Sequence, residues 1–60
     1  MRWFKVTYNG SVWAVKAYSS QEASQHWHRF YGYLHPLEGV AVKPISEEEA
    51  DGFNDYSKIV

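Results

Sequence analysis

The sequence predicts an α+β fold: a three-stranded antiparallel sheet, in the order β-β-α-β, with one helix on one face and a short acidic C-terminal helix or turn. Three observations carry this. First, Asn9-Gly10 separates two runs rich in aromatic and β-branched residues, 3–8 and 11–18. That pair suits the two-residue type I′ hairpin turn, which needs positive φ at both central positions. Second, Ser19 is followed three residues later by Glu22, a capping box that satisfies N–H groups left open at a helix start. Third, residues 39–43 read as a short Val-rich strand that runs into Pro44.

A two-residue turn sets the hairpin register, with Tyr8 opposite Ser11, Val6 opposite Trp13, Phe4 opposite Val15 and Trp3 opposite Lys16. Successive side chains of a strand point to opposite faces. One face therefore carries Phe4, Val6, Tyr8, Trp13, Val15 and Ala17. The other carries Trp3, Lys5, Thr7, Val12, Ala14, Lys16 and Tyr18, a mixture of aromatic and basic groups. Along the helix, Ala23, Trp27, Phe30, Tyr31 and Leu34 form one apolar stripe, and Gly32 suits the left-handed residue that ends a helix. The helix is expected over 20–31. Residues 33–38 read as loop, because His35 precedes Pro36 and the position before proline disfavours helix. Val40 and Val42 point inward, Ala41 and Lys43 outward, and Pro44 ends the third strand or marks it as an edge. Placing that strand beside the first gives the order 2-1-3. The expected core is Phe4, Val6, Trp13, Trp27, Phe30 and Val42.

Ser46 and Glu49 repeat the capping signal, Ile45 is placed to staple onto Ala50, and Gly52 stops the helix after little more than a turn. Residues 53–60 show no clear period. The chain divides into a β-β-α-β domain, 1–45, and an acidic aromatic C-terminal segment, 46–60.

Sixty residues make one domain with a thin core. Cysteine is absent, so disulfides and thiolate metal sites are excluded. Three Trp, five Tyr and three Phe compensate, since each aromatic ring buries a large area; the thin core also leaves a homodimer open. No signal-peptide core and no membrane-spanning run is present. The expectation is a soluble cytoplasmic protein that starts at its native Met1 and does not engage membrane.

Net charge is −1, unevenly distributed. Up to Lys43, five cations stand against two acids; beyond it, Glu47, Glu48, Glu49, Asp51 and Asp55 stand against Lys58 alone. Such asymmetry points to a segment with its own role. No catalytic site is expected: the glutamates are consecutive, whereas paired acid/base chemistry needs two carboxyls in differing environments, and neither a nucleophile elbow nor a phosphate loop occurs. His26 and His28, two apart on a helix, diverge, so no metal site or other cofactor is expected.

Two binding surfaces remain. The acidic segment, with Glu47, Glu48, Glu49, Asp51, Phe53, Asp55 and Tyr56, suits a basic groove on a partner protein. Alternatively it folds back as a cover, with Phe53 or Tyr56 against Trp3. The open sheet face, with Trp3, Lys5, Lys16, Tyr18 and Lys43, suits single-stranded nucleic acid, whose bases stack on aromatics while lysines neutralise phosphate.

The Asn9-Gly10 hairpin, the run Val-Lys-Ala-Tyr-Ser-Ser-Gln-Glu-Ala over 15–23 that opens the helix, and the short Val-rich strand together resemble small proteins encoded by bacteriophages and mobile elements. Anti-CRISPR and other host-takeover proteins are similar in size and in strand-strand-helix-strand order. The resemblance implies a non-enzymatic protein that inhibits or modulates a larger host complex by binding to it.

Overall fold

The hairpin forms in the expected register. In the computed structural model, which describes residues 1–32 and 39–60, β1 (Arg2–Tyr8) pairs with β2 (Ser11–Ala17), Tyr8 opposite Ser11 and Phe4 opposite Val15. Asn9 and Gly10 have φ of 51° and 82°, as the type I′ turn requires.

Helix α1 (Ser20–Trp27) is capped as expected: the Ser19 hydroxyl accepts from the Glu22 N–H at 3.1 Å. The Glu22 carboxylate in turn accepts from the Tyr18 N–H at 3.0 Å, pinning the strand-to-helix junction. The regular helix then gives way to a π-helical turn, His28–Gly32. Its i→i+5 bonding widens the turn, so each residue rotates by less than the roughly 100° of an α-helix. This overturns one expected core residue. Phe30 swings off the stripe and is 59 % exposed, while Tyr31 stays close enough to the stripe to stack on Trp13 at 5.4 Å. The expected loop at 33–38, and the place of Leu34 in the stripe, lie outside the described residues.

The third strand, β3 (Ala41–Ile45), begins two residues later than expected and runs through Pro44. Proline is tolerated there because β3 is an edge strand. β3 lies antiparallel beside β1, so the order 2-1-3 holds within the sheet. The expectation of a three-stranded, purely antiparallel sheet does not hold. A fourth strand, β4 (Lys58–Ile59), pairs parallel with β2 and gives a mixed sheet of order β3-β1-β2-β4. With two paired residues it is too short to leave a period in the sequence.

Between β3 and β4 come α2 (Glu47–Asp51), capped by Ser46, whose hydroxyl accepts from the Glu49 N–H at 3.0 Å, and a 3-10 turn, Asp55–Ser57. Gly52 ends α2 without a left-handed conformation. Strand directions explain the path. β2, β3 and β4 are mutually parallel, and only β1 runs the other way. The β2–α1–β3 connection crosses the sheet in one direction; β3–α2–β4 returns in the other. Parallel crossovers share one hand, so the return must use the opposite face.

Side chains agree with this two-sided covering. On the α1 face, Phe4, Val6, Val15, Ala17, Ala23, Trp27 and Ile59 form the core, with Tyr8, Trp13, Val40 and Val42 packed against it. Trp27 is the centre: its ring meets Tyr8 at 5.4 Å and Trp13 at 5.3 Å. Its buried Nε1 meets no acceptor among the described residues. On the other face Ala14 and Ala50 are fully buried, and α2 lies against β1.

Two substitutions test this. Trp27→Ala removes the central ring and should cost about 3–5 kcal/mol, comparable with the whole stability of so small a domain; urea denaturation followed by circular dichroism reads it, and a variant with the parental midpoint would refute the assignment. Gly10→Val meets open space, so its cost comes from backbone conformation alone, about 1–2 kcal/mol. Gly10→Asn should recover most of that loss.

Candidate interaction surface

Register places three lysines of the second face in one row. Lys43 pairs with Lys5, Lys5 with Ala14, and Ala14 with Lys58. The next row on that face is Ile45, Trp3 and Lys16, with the Lys16 Nζ 5.5 Å from the Trp3 ring centre. The sheet therefore does gather Trp3, Lys5, Lys16 and Lys43 on one surface. It is not an open surface. Trp3, Lys5 and Lys16 are half-buried, Lys43 is exposed, and Tyr18 stands exposed just past the end of β2.

The segment crossing that face is the acidic one. It is held by the methyl group of Ala50 at full burial, by half-buried Phe53, and by Ile59, which enters the core from β4. An alanine at the contact lets the α2 backbone come close to the sheet. Phe53 was one of two residues expected against Trp3; instead it shares a hollow with Val12. Tyr56, the other, lies beside Tyr31, whose hydroxyl donates to the Tyr56 carbonyl at 2.9 Å. Around Trp3 the neighbours are Ile45, Lys16 and Glu47.

Docking leaves the acids outside. Glu47, Glu48, Glu49, Asp51 and Asp55 are all exposed. Glu47, Glu48 and Glu49 occupy the first turn of α2, where negative charge is favoured by the helix dipole. Among the described residues no direct ion pair joins these carboxylates to the lysines below. The segment and the sheet attract at longer range, screened by salt over about 8 Å at physiological strength. The carboxylates thus remain available to a partner, on a backbone fixed at both ends by strands.

Two features had no readable signal. Burial of Ala50 and Ile59 depends on the crossover, which no local pattern announces. The exposed group formed by Phe30, Tyr31, Tyr56 and Val60 depends on the π-helical turn. His26 and His28 are half-buried, and among the described residues no three metal-ligating side chains come together. Nor is any helix among them long and apolar enough to cross a membrane.

If Ala50 anchors the cover, Ala50→Asp should loosen α2. A buried, unpaired carboxylate is unfavourable, so the melting temperature should fall and Trp3 emission should shift to the red. Unchanged emission and melting would mean that α2 does not depend on this contact. Comparison with protein-family models, with curated proteins and with solved structures gives no match.

Proposed function

We propose that this chain is a small, non-enzymatic protein-binding module that works in the cytoplasm and inhibits or modulates a larger host complex, as phage-type proteins do. Its recognition element is the acidic surface of α2 and the following turn. One observation carries this reading: five acids stay exposed on a segment that is nonetheless folded onto the sheet. A preordered segment loses less conformational freedom on binding than a loose tail. Clustered carboxylates steer a basic partner surface and select against acidic ones.

Nucleic-acid binding by the sheet face has less support. Trp3, Lys5 and Lys16 lie half-buried under the same segment, and Lys16 already stands over the Trp3 ring. A stacking platform needs a free ring face.

The test is affinity capture from nuclease-treated bacterial lysate, with the parent chain and with Glu47→Gln/Glu48→Gln/Asp51→Asn. The triple variant should lose its captured protein while its stability changes by no more than about 1 kcal/mol. Capture should also weaken as salt rises. Retention of the partner by the neutralised chain, or its loss on nuclease treatment, would overturn the reading.

A further inference from the structure

The two edges of the sheet differ. β3 is guarded by Pro44, which lacks an N–H, and by Lys43. β4 is short and carries Lys58, and its outer side meets no other strand among the described residues. Beside it stand Phe30, Tyr31, Tyr56 and Val60, exposed by 59 %, 41 %, 89 % and 85 %. With Asp55, Lys58 and Ile59 they line a hollow of about 400 Å³. This patch is held in shape. Tyr31 stacks on Trp13 and donates its hydroxyl proton to the Tyr56 carbonyl, so its ring is fixed from both sides. A contiguous exposed apolar patch of this kind marks an interaction surface.

We propose that a second copy of this chain occupies it, the two patches meeting across a two-fold axis near Tyr56. Each Tyr56 ring enters the hollow of the other copy, and each Asp55 meets the other copy's Lys58. Two observations select a copy over an unrelated protein. The patch is self-complementary in charge: Asp55 and Lys58 flank Tyr56 with opposite signs, and a two-fold contact that brings one to the other does so twice. The surface of α2 has one sign and would repel its own copy. The second observation is the core itself. Of the nine buried apolar residues among those described, four are alanine. A core that small gains proportionately from a second apolar layer, and oligomerisation is a usual route to stability below about 70 residues. Packing a copy there also covers the β4 edge.

Sedimentation velocity over a low to high micromolar concentration series tests this on the full chain, with a shift expected from 7.0 kDa toward twice that mass. Tyr56→Ser removes an exposed ring and keeps the carbonyl that Tyr31 uses, so the monomer should stay folded while self-association weakens by about tenfold or more. Lys58→Glu should also dissociate the dimer, and adding Asp55→Lys should restore it. In this cysteine-free chain, Tyr56→Cys should give a disulfide-linked dimer on oxidation, whereas Glu48→Cys should not. A monomer at every concentration overturns the proposal and leaves the patch to a different partner. Undiminished dimerisation of Tyr56→Ser, or failure of the charge swap to restore it, overturns the two-fold contact.

Discussion

Positive φ at two consecutive residues is the constraint on which the rest of the molecule depends. Asn9 and Gly10 fix where the chain turns, and the turn fixes which side chains share a face. A slip of one residue would exchange the faces. With β2 held in place, Phe4 and Val6 would then point to α2 while Val15 still faced α1, and Lys5 would take their side of the core. No later contact could repair that, because the helix stripe and the β3 pairing are both referred to β1. The hairpin is also the most local part of the sheet, so its information is the easiest to read.

What could be read in advance follows that boundary between local and non-local. Register and both serine caps depend on residues within a few places of each other or on one alternation, and β3, paired more than thirty residues from β1, was placed by the preference for an ordinary antiparallel edge. The fourth strand had no such guide. Lys58 and Ile59 are recruited by β2, more than forty residues earlier, and two residues have no pattern of their own. The acidic segment was legible as a distinct piece, and folding back onto the sheet was one of the two alternatives read for it. The anchor was not: Ala50 carries no signal of burial, because its contact exists only once the crossover has chosen a face. Phe30 illustrates another limit. The stripe that includes it is correct for an α-helix, and the widened turn at His28–Gly32 changes the phase without any glycine or proline at its start.

The two crossovers give the domain an economy unusual for its length. One sheet separates two layers of different character: aromatic packing around Trp27 on one side, an alanine contact under a charged helix on the other. Aromatic area supplies cohesion where few residues are available, and the small contact under α2 lets a polar segment lie flat on a lysine-bearing surface. The same arrangement keeps Lys5 and Lys16 half-buried with no direct ion pair to these carboxylates among the described residues, which leaves the carboxylates facing outward.

Because α2 is pinned between β3 and β4, the acidic surface has its shape only while the sheet is intact. Under the proposed function, recognition by this surface and folding are therefore linked equilibria. A partner that reads the docked arrangement binds the folded state alone and stabilises it by mass action, about 2.7 kcal/mol at a hundredfold excess over its Kd. A partner that reads the same residues as an extended strand would have to lift Ala50 from the sheet first, and would bear the cost of uncovering Trp3, Lys5 and Lys16. The sign of the change in melting temperature on binding therefore reports which form of the segment a partner recognises.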